Sequence, residues 1–364
     1  MAKKIFIAAT MQNDGKTTVA MGLIFNFKQR FKNIGFIKPI GQRYLEEDGQ
    51  KVDEDSVLIE DVCGMDCAIK DMSPIAVEKG FTEKYITRPN KRSIDKQIRD
   101  SFRRVARNRD LVVIEGTGHA GVGSVFDHSN ANVAKLLGAR VILVSSGGIG
   151  RPIDEIMLNK ALFEKEGVGL AGVIINKVKK EKFQKIKRLV SKGLKRLGVN
   201  VLGVMPYQPA LSFPTMRQIH EETNFKIFSG NGCLDNYIAR IVIGAMEPHD
   251  ALNYITENSL LITPGDREDL IMTALGLHIS KAQVCPTQIA GMILTGGFLP
   301  HPGVIEVMKS TNIPILLTGK DTYAAASIIH DLTVKIRPQD GDKIEAVKNM
   351  VKDYVAIDEI LRLI

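Results

Sequence analysis

Tryptophan is absent from these 364 residues, and aromatic side chains make up only 6% of them. So few flat side chains leave no stacking platform for single-stranded nucleic acid, and a nucleic-acid partner is not expected. No apolar run approaches the roughly 18 residues that a membrane span needs. The opening Met-Ala-Lys-Lys-Ile-Phe-Ile ends its apolar stretch at Thr10. That is too short for the core of a secretory signal and suits a first buried strand. These absences predict a cytoplasmic protein with no membrane partner. Cysteine is scarce as well. Cys63 and Cys67 are three residues apart, Cys233 and Cys285 stand alone, and no second Cys or His pair completes a zinc pattern.

The net charge of +8 is local. Ten Lys or Arg residues face one Glu between Asn176 and Leu197, so the rest of the chain is near neutral. Within that segment Phe183, Ile186, Leu189, Val190, Leu194 and Leu197 recur at three- and four-residue spacing. The pattern predicts an amphipathic helix with a solvated basic face.

Up to about residue 206 short apolar runs alternate with helical patterns. The runs are Ile5–Ala9, Ile34–Lys38, Leu111–Glu115, Val141–Ser145, Gly172–Asn176 and Val201–Met205. Continuous rather than alternating apolar character predicts parallel strands covered on both faces, hence an α/β fold with a doubly wound, mostly parallel sheet. Prolines 206, 209 and 214 interrupt the alternation. It then resumes with Leu260–Thr263, Met292–Leu294 and Ile315–Thr318, and with Leu332–Pro338 as one further possible strand. The expected division is a first domain over residues 1–211, a smaller α/β domain over 215–335, and a C-terminal helical extension over 336–364.

Ala9-Thr-Met-Gln-Asn-Asp-Gly-Lys-Thr17 follows the first strand and opens a helix, the setting of a P-loop. Gly15 lets the backbone approach phosphate oxygens, and a helix amino terminus points free N–H groups at them. Thr10, Asn13, Asp14, Gly15, Lys16, Thr17 and Thr18 are therefore the candidate nucleotide contacts, with ATP and Mg²⁺ as the expected cofactors. Lys16 offsets phosphate charge and the Thr17 hydroxyl is placed for the metal. Thr10 stands where the standard pattern has its first glycine.

That threonine, with Lys38-Pro39 ending strand two and Glu115-Gly116 ending strand three, resembles the dethiobiotin synthetase family of P-loop NTPases. The likeness spans residues 1 to about 211 and includes Asn176, after Gly-Val-Ile-Ile, and Gly203-Val-Met-Pro206. The resemblance implies that Lys16 and Lys38 are catalytic cations, that Thr17, Asp55 and Glu115 hold the metal, and that Asn176 touches adenine. It also implies a homodimer. Two readings stand for Asp55, a metal ligand or part of the solvated acidic run Asp53-Glu54-Asp55. Gln42 replaces the serine that the family uses for substrate, and a longer Gly-rich loop follows Glu115.

Ile262-Thr-Pro-Gly-Asp-Arg-Glu-Asp269 and Leu294-Thr-Gly-Gly297 resemble the DRTGG domain. The order of the two domains is similar to the amino-terminal regulatory half of long phosphate acetyltransferases, without the transferase domain. A chain of that kind would not transfer acetyl groups by itself. Asp266, Arg267, Thr295, Gly296 and Gly297 are candidate effector contacts. An alternative holds equally: Asp266 caps a helix and the glycines make a tight turn. Two functions follow. One is a regulatory ATP-binding protein whose second domain binds an effector or mediates dimerisation. The other is an ATP-dependent ligase-type enzyme that phosphorylates a carboxylate or carbamate of an unknown small-molecule substrate.

Overall fold

The computed structural model describes residues 2–47, 49–279, 289–332 and 334–364, so Cys285 lies outside the described residues. The chain forms two compact units, residues 1–207 with 336–364, and residues 208–335.

The strands of the first unit are β1 Lys3–Ala9, β2 Ile34–Ile37, β3 Ile40–Gly41, β4 Tyr44–Glu47, β5 Gln50–Asp53, β6 Ile75–Ala76, β7 Leu111–Glu115, β8 Arg140–Ser146, β9 Leu170–Val178 and β10 Val201–Pro206. Six of them build one parallel sheet in the order β10-β9-β8-β1-β7-β2. From β1 the chain goes to one side for β2 and β7, then to the other for β8, β9 and β10. This reversal is a topological switch point, where ligands of open α/β sheets bind at the carboxyl ends of the strands. The sheet is the doubly wound one expected. Its strands read as unbroken apolar runs because both faces are covered: all five residues of β7 are buried.

A hairpin departs from the sequence reading. β4 and β5 pair antiparallel where a polar loop is expected, and Asp53 ends the hairpin as the N-cap of α2 (Glu54–Cys63). Leu332–Pro338 forms no strand among its described residues. Pro338 lacks an N–H donor and restricts Arg337, and the chain passes there from one unit to the other.

α1 (Lys16–Phe27) buries eight of its twelve residues, more than one apolar stripe provides. Its second cover is the helix Gly341–Tyr354, which lies along it. The following segment extends the attachment, since Ala356 N donates to Leu202 O at 2.7 Å and Lys3 Nζ to Ile364 O at 2.7 Å.

The second unit contains β11 Lys226–Ser229, β12 Arg240–Ile243, β13 Ser259–Pro264, β14 Ile289–Thr295 and β15 Ile315–Leu317, in the order β11-β15-β14-β13-β12. Only β11 is antiparallel to its neighbour. The three central strands are the apolar runs legible in the sequence. The edge strands β11 and β12 are short and half exposed, so they carry a weak pattern. Among the described residues no helix is long and apolar enough to cross a membrane.

The contact between α1 and the C-terminal helix depends on Gly22. A Cβ at this position would stand 2.3 Å from Val351 Cγ2, and Val351 is fully buried. Gly22→Ala is therefore expected to destabilise the protein by about 1–3 kcal/mol from overpacking, although alanine gains about 1 kcal/mol in helix propensity. Denaturant unfolding of Gly22→Ala, Val351→Ala and the double variant tests this. The double variant should lose less than the sum of the two singles; strict additivity would show that the two residues do not meet.

Candidate functional site

The loop from β1 to α1 is held open by its own side chains. Gly15 adopts φ +94°, a left-handed conformation that favours glycine, and no side chain caps α1. The amino-terminal N–H groups of this helix therefore face the loop without a side-chain acceptor. Asp14 is buried and ties the loop together. It accepts from Met11 N and Thr10 Oγ1, both at 2.8 Å, and from Ser146 Oγ. Thr10 Oγ1 also lies 3.0 Å from Ser145 Oγ. Thr10 and Asp14 thus join the loop to the end of β8. Asn13 is left-handed as well, at φ +63°.

Asn176, at the end of β9, supports this loop from below. Its Nδ2 donates to Asp14 O at 2.9 Å and its Oδ1 accepts from Lys177 N at 2.8 Å. A Cβ at Gly15 would come within 2.3 Å of the same Nδ2. Both ends of the amide are thus engaged with backbone.

On the other flank, Lys38 follows β2 and is surrounded by carboxylates. Its Nζ is 2.8 Å from Asp53 Oδ1, closer still to Asp55 Oδ2, and 3.9 Å from Glu115 Oε1. All four residues are buried. Asp55 therefore belongs to the site and not to a solvated acidic run. Asp53, which the sequence reading passes over, is the second partner of Lys38, and no spacing rule marks it. Gly41 has no Cβ because one would sit 2.5 Å from Asp53 Cβ.

Thr17 Oγ1 donates to Glu115 Oε1 at 2.8 Å, and Glu115 Oε2 is buried with no hydrogen-bond partner. Burial, offset in part by Lys38, pushes the Glu115 carboxyl up to about 7. Burial, reinforced by repulsion from Lys38, lowers Lys16 below the ordinary lysine range. For Lys38 burial acts downward too, but Asp55, Glu115 and Asp53 outweigh it and hold the ammonium charged. Among the described residues no three His, Cys, Asp or Glu side chains are arranged to hold a metal ion by themselves. A site for Mg²⁺ that also draws on phosphate oxygens and water needs only one or two carboxylates, and the orphaned Glu115 Oε2 beside Thr17 fits one.

The Gly-rich loop after Glu115 is fastened by two asparagines that carry no sequence signal. Asn130 Nδ2 donates to Thr117 O and His119 O at 2.8 and 2.7 Å, and Asn159 Oδ1 accepts from Ala120 N at 2.7 Å. His119 is exposed, whereas His128 is buried against Asp95. In the second unit Arg267 directs Nε and Nη2 at the two oxygens of Asp269, at 2.9 and 2.8 Å, and Nη2 also reaches Met246 O. Asp266 is exposed. Gly296 and Gly297 are both left-handed, at φ +79° and +72°, and donate to Lys320 O and Thr318 O. Thr295 Oγ1 is 2.8 Å from Thr322 Oγ1. These five residues share one strand edge, and the Gly-Gly pair makes a tight turn.

The model of a family described as AAA domain matches residues 3–215, and that of the DRTGG domain matches residues 218–332. A phosphate acetyltransferase of Nitratidesulfovibrio vulgaris is 26% identical, over 99% of this chain and 51% of its own length. One from Synechocystis is also 26% identical, over 94% of this chain and 49% of its own. The chain spans about half the length of the curated relatives it matches. Among solved structures, the MinC:MinD cell division protein complex of Aquifex aeolicus aligns with a TM-score of 0.37 at 18% identity, over 58% of this chain and 84% of that one.

The raised Glu115 pKa has a sign that can be measured. Between its ordinary 4.5 and about 7 the folded protein holds a proton that the unfolded chain releases. Its contribution to stability is complete below pH 4.5 and falls as pH rises through 7, by at most about 3 kcal/mol. Denaturant unfolding without nucleotide or metal should show this decline in wild type and a flatter profile in Glu115→Gln. Parallel profiles would show that Glu115 titrates normally.

Proposed function

The chain belongs to the AAA domain family over residues 3–215 and continues into a DRTGG domain, and from that premise we propose that it is a Mg²⁺-dependent ATP-binding protein with a regulatory role. One observation carries this reading. Two buried groups of opposite kind stand unsatisfied at the uncapped start of α1: among the described residues the Lys16 ammonium has no hydrogen bond or ion pair, and Glu115 Oε2 has no donor. Burying such groups without partners is unfavourable. Triphosphate oxygens would satisfy the first and a divalent cation the second. Thr17, Glu115 and Asp55 are the groups that would hold Mg²⁺, which supplies charge neutralisation to the phosphates when bound. Lys16 and the amides of residues 15–18 bind the phosphates.

The regulatory part of the reading draws on domain order and on the named relatives, whose length is about twice that matched here. In it, ATP occupancy of the first unit is communicated to a phosphate acetyltransferase activity, and the DRTGG unit binds a small-molecule effector or joins two copies into a homodimer. Phe298, Leu299 and Tyr323, exposed on that unit, suit self-association.

A second reading, phosphoryl transfer to a carboxylate or carbamate, is favoured by Lys38 alone. Its ammonium stays charged and lies 3.9 Å from Glu115 Oε1. A cation fixed there is suited to charge that shifts as a γ-phosphoryl group moves.

Calorimetry with Mg²⁺-ATP should show a loss of at least about a hundredfold in affinity for Lys16→Ala, the scale of a buried charge-assisted phosphate contact. Equal binding by the two proteins would remove the ATP site. ADP release, followed with and without pooled metabolites, separates the two readings. A regulatory protein should release little ADP under every pool. If wild type turns over, Lys38→Arg should slow it by about tenfold or more while ATP affinity holds. Unchanged turnover would take Lys38 out of the chemistry.

A further inference from the structure

The two flanks of the phosphate loop differ, and the difference orients a bound nucleotide. Thr17, Glu115 and Lys38 all lie toward β7 and β2. On the ATP-site reading, which this inference rests on and deepens, the metal and the terminal phosphate belong there. The nucleoside must then leave over the opposite flank, toward the ends of β8 and β9. Asn176 is the obvious polar residue on that side, but its amide is 4% exposed and engaged with Asp14 O and Lys177 N. It braces the loop and presents no free edge.

The next residue is unusual. Lys177 is left-handed at φ +56°, a conformation that costs a non-glycine residue roughly 1–2 kcal/mol. It is pinned there by Gly147, where a Cβ would stand 2.9 Å from Lys177 O and 2.7 Å from Val178 Cα. Its Nζ donates to Asn13 O at 2.6 Å, and Asn13 is itself left-handed. The side chain thus crosses from the end of β9 to the tip of the phosphate loop, fastened at both ends, while the residue stays exposed overall. A solvated surface lysine has no need of a strained backbone and an immobilised tip.

We propose that Lys177 forms the wall of the nucleobase site, its butyl stem giving a flat apolar surface for the base and its bond to Asn13 fixing that surface against the loop. The contact is one of area, so it takes a purine better than a pyrimidine and is indifferent to the edge of the ring. Recognition of the base then lies with Lys177, and Asn176 acts one step back as a positioning residue.

Binding of Mg²⁺-ATP and of inorganic tripolyphosphate to the full chain tests the assignment, because only the first ligand has a base. Lys177→Ala should weaken ATP by about tenfold, the scale of one base contact, and leave tripolyphosphate within about twofold. Lys177→Met keeps the stem and should retain most of the ATP affinity, which separates loss of the wall from loss of the fold. Lys16→Ala should lose both ligands. An equal loss of both ligands in Lys177→Ala would overturn the proposal, since it would make the residue a loop support only. No loss of either would overturn it too. Wild type that binds neither ligand would instead refute the ATP site, and the base wall with it.

Discussion

Three carboxylates and two ammonium groups share one buried corner at the carboxyl edge of the parallel sheet, and their charges do not balance. Asp53, Asp55 and Glu115 stand against Lys38 and Lys16. With all five ionised the corner carries one negative charge too many, in surroundings where an unpaired charge is costly. The structure relieves this through the group with the poorest solvation. Glu115 holds its proton up to about pH 7, and a protonated Glu115 leaves two charges of each sign. On the proposed reading a divalent cation takes the place of that proton, and Glu115 ionises as the metal arrives. Proton and metal then compete for one oxygen pair, so nucleotide binding at this site is linked to pH.

The same corner explains why so much of the local architecture is devoted to rigidity. A P-loop with threonine in place of its first glycine has lost one position of backbone freedom. Here the Thr10 hydroxyl is used to hold the loop: it meets Asp14 and Ser145. Asp14 closes the turn on Met11, and Asn176 fills the space that a side chain at Gly15 would take. These bonds face away from the helix amino terminus and leave its N–H groups uncapped. The loop is therefore pre-formed in its empty state, so ligand binding does not have to meet the entropy of ordering it.

Much of this was legible in the sequence, for a reason that differs from element to element. Parallel strands covered on both faces must be apolar throughout, so β1, β7, β8 and β9 stand out as runs. Gly15-Lys16-Thr17 stands out because phosphate chemistry restricts those three positions. Glu115 is visible because a carboxylate ending an apolar strand is too costly to be accidental. Asp53, Asn130 and Asn159 were not legible, because their partners lie far along the chain and no periodicity connects them. The β4–β5 hairpin was missed for a related cause. Only Val52 and Asp53 of its eight residues are fully buried, so it has almost no apolar pattern to read. Edge strands β11 and β12 failed in the same way.

The C-terminal segment shows how an unread signal can still be present. Lys-Thr-Thr-Val-Ala-Met-Gly-Leu-Ile-Phe-Asn-Phe is apolar around most of its circumference after the first turn. A helix of that kind cannot lie on a sheet with its outer face in water, so a second cover is required. Gly22, which as a mid-helix glycine costs about 1 kcal/mol relative to alanine, marks where that cover comes closest. The helix Gly341–Tyr354 supplies it, more than 300 residues later in the chain. Because α1 begins at Lys16, the far end of the chain packs against the helix that would bind phosphate. Any shift of α1 must be accommodated at Gly22 and Val351, where there is no free space. The phosphate site and the chain's last segment are thus mechanically one body.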